Sequence, residues 1–143
     1  MMGQYEAKIP EDRRYFKSHM WLQPGPDLAH VGLTAYAVRL LQDVYFLDWS
    51  IDPETRVHAK QDIGQIESSK AVSTVYAPAA GHIHQFNAAL LNDPSLINAE
   101  NYQAGWLFEF DTTSETMSAA EYVDHLAATW ETTQRLLKGQ YNA

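Results

Sequence analysis

Turn-forming residues cut this chain into short pieces, and that punctuation limits its fold more than any other feature. Pro24-Gly25-Pro26-Asp27, Asp52-Pro53-Glu54, Pro78-Ala79-Ala80-Gly81 and Asp93-Pro94 each stop a run of regular structure. Between them lie runs of branched and aromatic residues. Tyr15 to Leu22 alternates weakly and predicts a first strand that forms a hairpin with His30-Val31-Gly32-Leu33. Val44 to Trp49 reads as a buried strand, and Arg56 to Lys60 as a short edge strand around Val57. Ile63 to Ser68, Ala71 to Ala77, His82 to Phe86 and Gly105 to Phe110 complete the set. Strands at spacings of about eight to twelve residues predict a mainly β fold, a flattened barrel or sandwich of short strands.

Helical signals are few and local. Thr34 caps a short helix from Ala35 to Leu41, and Asn87 caps another through Leu91. The C-terminus differs from the rest. Ser118-Ala119-Ala120-Glu121 fits a capping box, and Tyr122, Leu126, Trp130 and Leu137 follow at roughly helical spacing before Gly139. This predicts a C-terminal α-helix whose Tyr/Leu/Trp stripe lies on the β body. The expected organisation is a polar lead-in over 1–14, a β domain over 15–117 and a packed helix over 118–143.

Composition excludes whole classes of function. The 143 residues contain 45% apolar residues, enough for a core, and a net charge of −8. That charge disfavours nucleic acid and anionic membrane surfaces, which attract Lys/Arg clusters. The absence of cysteine removes disulfides, thiolate zinc sites and cysteine nucleophiles. Sulfur chemistry would need sulfur from an attached group. The N-terminal Met1-Met2-Gly3-Gln4-Tyr5-Glu6-Ala7-Lys8 lacks a signal-peptide apolar core, and no apolar run reaches the roughly 18 residues of a membrane span. A cytoplasmic protein is expected. No Ser-His-Asp triad or phosphate-cradling glycine loop is visible.

The candidate working residue is Lys70, set between two strands in Gln65-Ile66-Glu67-Ser68-Ser69-Lys70-Ala71-Val72-Ser73. A lysine at the tip of a tight turn, flanked by small residues, is a fixed and reachable amine. Acylation would remove its charge and add a flexible arm, and such an arm raises the local concentration of its cargo at neighbouring active sites. A solvated turn lysine has the same local sequence, so the motif alone does not decide.

The surrounding residues extend the pattern. Glu67-Ser68-Ser69-Lys70-Ala71-Val72-Ser73 followed by Tyr76-Ala77-Pro78 resembles the lysine motif of the glycine cleavage system H-protein family. Val31-Gly32-Leu33-Thr34-Ala35-Tyr36-Ala37, Gly81, Asn87, Leu90, Pro94, Leu96-Ile97-Asn98, Tyr102 and Gly105-Trp106-Leu107 match in the same order. The resemblance implies a lipoyl-domain-like hammerhead fold and lipoate joined by an amide to Lys70. It implies a carrier component without catalysis of its own. Glu67 and Ser68 are read by a lipoate-attaching enzyme or serve only the turn, and His19 lines a groove for the arm, as the resemblance implies, or is a half-buried edge histidine. The implied partners are the enzymes of the glycine cleavage system. H-protein-like lipoate-binding proteins also serve a bacterial sulfur-oxidation pathway with a heterodisulfide-reductase-like complex. A non-lipoylated adaptor of the same fold is a further alternative. Biotin carriers usually place Met on both sides of the lysine, where this chain has Ser69 and Ala71.

Several positions depart from the family pattern: Met20 in His19-Met20-Trp21, Gln42 before Asp43, Trp49-Ser50, and Asn101-Tyr102-Gln103-Ala104 before Gly105. They are expected in surface turns, whereas the lysine motif is intact. His82 and His84 share a strand face, the beginning of a metal site. No third ligand is evident beside them, so no metal is expected. Asp43, Asp48 and Asp52 read as a solvated rim.

Overall fold

A computed structural model describes residues 9–25 and 28–128. Within them the chain forms β1 (Arg14–Phe16), β2 (Met20–Gln23), β3 (Ala29–Leu33), α1 (Ala35–Leu41) and β4 (Val44–Trp49). Then follow β5 (Thr55–Val57), β6 (Asp62–Ser68), β7 (Val72–Tyr76), β8 (Gly81–Phe86), α2 (Ala88–Asn92), α3 (Leu96–Ala99) and β9 (Phe108–Asp111). A final helix, α4, covers 119–128.

The strands form two sheets that do not close into a barrel. One has the order β1-β2-β3-β9-β8-β5, and the other is β4-β6-β7. Every pairing is antiparallel. The main core fills the space between them with Val31, Leu47, Ile63, Ile66, Val75, Ile83, Phe108 and Phe110. Burial of such side chains contributes about 1.5–3 kcal/mol each.

A second cluster joins Tyr15, Trp21, Ala119, Tyr122 and Leu126, and it seats α4 on β1 and β2. Tyr15 stacks on Tyr122 at 4.9 Å between ring centroids. Trp21 needs a glycine opposite it. A Cβ on Gly32 would sit 2.4 Å from the Trp21 ring, so only the bare backbone fits there. The indole N–H of Trp21 donates to the carbonyls of Leu33 and Asn101.

The caps form as their sequences predict. Ala37 N–H donates to Thr34 Oγ1 and Ala89 N–H to Asn87 Oδ1. The capping box is reciprocal: Ser118 N–H donates to Glu121 Oε1 at 2.8 Å and Glu121 N–H to Ser118 Oγ at 3.2 Å. The apolar stripe of α4 is buried at Tyr122 and Leu126. Trp130, Leu137 and Gly139 lie outside the described residues.

Two expectations are corrected. The run from Tyr15 to Leu22 is two strands, because His19 adopts φ 68° and turns the chain back on itself. The hairpin with 30–33 is made by β2 alone. The run from Val44 to Trp49 is buried on one face only. A bulge between Val44 and Phe46 leaves Tyr45 and Phe46 exposed on the outer side of the small sheet. Helix α3 was unmarked in the sequence, and Ser95 gives it no side-chain cap. Among the described residues no helix is long and apolar enough to cross a membrane.

Candidate functional site: the Lys70 hairpin

Lys70 stands at the tip of the β6–β7 hairpin, exposed to solvent. The hairpin is closed by the Glu67–Val72 pair and by Ser68 N–H donating to Ala71 O at 3.0 Å. Ser68 is the internal strut of the turn. Its hydroxyl donates to Ala71 O and accepts from the N–H groups of Lys70 and Ala71, each at 3.2–3.3 Å. One hydroxyl thus uses its donor and both acceptor sites. The side chain is only 5% exposed, so its polar group would be costly to bury without these partners.

A second brace runs outward. Ser69 N–H donates to Asp43 O at 2.8 Å, and Asp43 N–H donates to Ser69 Oγ at 3.2 Å. Asp43 belongs to the α1–β4 turn, where Gln42 adopts φ 61°. Asn98 of α3 holds that turn by accepting from Val44 N–H at 2.9 Å and donating to Gln42 O. The tip of the hairpin is therefore pinned through Asp43 to α3. No side-chain contact of the Lys70 ammonium is found among the described residues, and its backbone is fixed on both sides.

The outer face beside the turn is apolar for a surface. Phe46, Glu67 and Val72 form one cross-strand row, and Phe46 and Val72 are about half exposed. Glu67 stands half-buried between them, three residues before the lysine.

On the inner side of β7 lies a groove of about 280 Å³, lined by His19, Met20, Leu40, Ile66, Ser73 and Val75 among others. His19 Nδ1 lies 2.9 Å from the Tyr122 hydroxyl, which lies 2.8 Å from Thr34 Oγ1. Its ring packs against Tyr36 at 4.5 Å. Burial, reinforced by His125, lowers its pKa to about 4. With His19 neutral, its Nδ1, the Tyr122 hydroxyl and Thr34 Oγ1 form one continuous chain of hydrogen bonds, which either donor order can complete. Burial pushes the Tyr122 phenol up, so it stays a donor.

The sequence located Lys70, Glu67 and Ser68 and grouped them. It did not foresee the brace through Asp43 and Asn98, whose partners lie 26 and 54 positions away from Ser69 and Val44. His82 and His84 lie on the other sheet, on β8.

The fold and site define a class: a small antiparallel β protein that presents one lysine on a braced hairpin beside a shallow groove. Comparison with known proteins narrows the class. A family model described as glycine cleavage H-protein matches residues 13–135. A probable glycine cleavage system H protein of Haloarcula marismortui is 42% identical over 110 residues, covering 76% of this chain and 86% of that protein. The glycine cleavage system H protein of Streptomyces coelicolor is 40% identical, covering 79% of this chain and 93% of that one. The crystal structure of a glycine cleavage system H protein from Mycobacterium marinum superposes with a TM-score of 0.71 at 35% identity, over 81% of this chain and 97% of that chain. The chain belongs to the glycine cleavage H-protein family.

Proposed function

We propose that this protein is a carrier of the glycine cleavage system and that Lys70 bears its lipoyl group. The observation that supports this most is the hairpin tip, where an exposed lysine is held on both sides by Ser68 and by the Ser69–Asp43 pair. Lipoate joined as an amide to Lys70 supplies a dithiolane, the redox-active sulfur that a chain without cysteine lacks. The residues present suit such a group. The turn neighbours Ser69 and Ala71 are small, and the nearby groove is mostly apolar with one uncharged imidazole.

In this reading the chain performs presentation. The strut at Ser68 fixes where the amine emerges, so a lipoate-attaching enzyme meets a constant shape. Glu67, flanked by Phe46 and Val72, is the surface group that enzyme reads, and Ser68 acts through the geometry it imposes. The groove at His19 shelters the loaded arm between visits to partner enzymes. The relatives named above are all called glycine cleavage H proteins, which supports that system over sulfur oxidation as the setting.

Intact-mass spectrometry after co-expression with a lipoate-attaching enzyme tests the site. The expected result is one lipoyl group on the wild-type chain and none on Lys70→Arg. A wild-type chain left unmodified while a standard carrier is labelled would overturn the assignment. Reconstitution with the other enzymes of a glycine cleavage system tests the setting, with glycine decarboxylation as the readout.

A further inference from the structure

We propose that Glu54, His82 and His84 form a binding site for a divalent cation of the zinc class, separate from the lysine hairpin. The topology builds the site from an edge. β5 pairs with β8 in the register Thr55–Ile83 and Arg56–His82. The loop before β5 extends that ladder, because Glu54 N–H donates to His84 O at 3.2 Å. Glu54 holds φ 59°, which turns the loop onto the strand. Alternation along β8 sends Ile83 into the core and both histidines to the outer face.

The donor atoms converge. His82 Nε2 lies 2.9 Å and His84 Nδ1 3.4 Å from the same carboxylate oxygen, Glu54 Oε2. Each residue offers a ligand atom within 4.8 Å of the other two. The imidazoles stand 4.4 Å apart, tilted by 51°. Zinc bonds of about 2.1 Å in a tetrahedron put ligand atoms about 3.4 Å apart. The two nitrogen–carboxylate distances reach that spacing when the shorter contact opens by roughly half an ångström, and the two imidazole nitrogens lie within 4.8 Å of each other. Two imidazoles and one carboxylate make a set suited to zinc, with a fourth position left for water.

The surroundings permit entry and charge balance. Both histidine side chains are 25% exposed and Glu54 is 64% exposed, so a cation reaches the site from solvent. The exposed Glu54 carboxylate supplies the anionic ligand of the set. Cross-strand register puts Arg56 on one side of His82 and Asp111 on the other, and their charges offset. Both imidazoles turn a ring nitrogen toward Glu54 Oε2, so a cation binds there by displacing whatever proton those contacts share.

The experiment uses the untagged full chain, freed of metal by chelation, and zinc alone as the probe. Calorimetric titration is expected to give one saturable site and a rise in melting temperature with zinc. His82→Ala and His84→Ala should each weaken binding at least about 10-fold. Glu54→Gln should weaken it similarly, and so should Glu54→Gly, which suits the positive φ while removing the carboxylate. His58→Ala, His30→Ala and Lys70→Arg should leave it unchanged. On the unsubstituted chain, zinc should shift the imidazole nitrogen resonances of His82 and His84 and not those of His30 and His58. Absence of saturable binding, or binding that survives the His82 and His84 substitutions, overturns the proposal. The result does not depend on the lipoyl reading of Lys70.

Discussion

Two hairpins of this molecule border one groove, the first through Ile66 and Ser73 and the second through His19, and their turns use a side chain in opposite ways. The β6–β7 turn holds its backbone with a serine two residues away and leaves Lys70 in water. The β1–β2 turn, with His19 at φ 68°, hands its side chain to Tyr122, 103 positions along the chain. The first turn presents and the second clamps. A group that must be reached by other proteins is fixed through its backbone alone, which leaves its side chain free. A group that closes a core edge is fixed through its side chain, and its chemistry is suppressed by burial.

Substitutions ranked by their effect on stability separate the two turns. Tyr122→Ala removes the stacked ring over Tyr15 and the hydroxyl to His19, so chemical denaturation should register a loss of about 3–5 kcal/mol. Tyr122→Phe, which keeps the ring, should lose about 1–2 kcal/mol. Acid should weaken the clamp next. The folded pKa of His19 is about 4, below the ordinary 6.5 of the unfolded chain. The unfolded state therefore takes up a proton that the folded state refuses. Stability from this group is complete above pH 6.5 and is lost as the pH falls toward 4. With partial exposure of the ring, the loss should be about 1–2 kcal/mol, and His19→Gln should flatten that part of the pH profile.

Ser68→Ala should cost about 1–2 kcal/mol by stranding the N–H groups of Lys70 and Ala71. Hydrogen exchange should locate that loss at the hairpin tip. Lys70→Arg should change stability by less than about 0.5 kcal/mol, measured by thermal unfolding. When lipoyl labelling is the readout, the order reverses. On the proposed lipoyl reading, Lys70→Arg should abolish it, Ser68→Ala should slow it, and Tyr122→Phe should leave it near normal. A Tyr122→Phe protein that is folded but unlabelled would break the distinction between presenting and clamping turns.

The presenting turn was legible in the sequence because the residues that form the turn itself lie close by. Ser68, Ser69 and the small Ala71 are neighbours of Lys70, and turn chemistry acts over a few bonds. The caps at Thr34, Asn87 and Ser118 were legible for the same reason. Expectation failed at Tyr45 and Phe46, because periodicity shows which side chains alternate but not whether a second layer covers them. It failed at Tyr15–Leu22 because no glycine or proline announces the left-handed residue at His19.

The sequence by itself determined the strand punctuation, the capped helices and the residue that stands at the hairpin tip, since local backbone preferences decide these. Only the tertiary structure decided that Asp43 and Asn98 brace that tip, that burial silences His19 beside Tyr122, and that Glu54 joins His82 and His84. Each of those partnerships depends on the register of strands or the docking of a helix. A register is the outcome of packing the whole core, and no short stretch of residues encodes it.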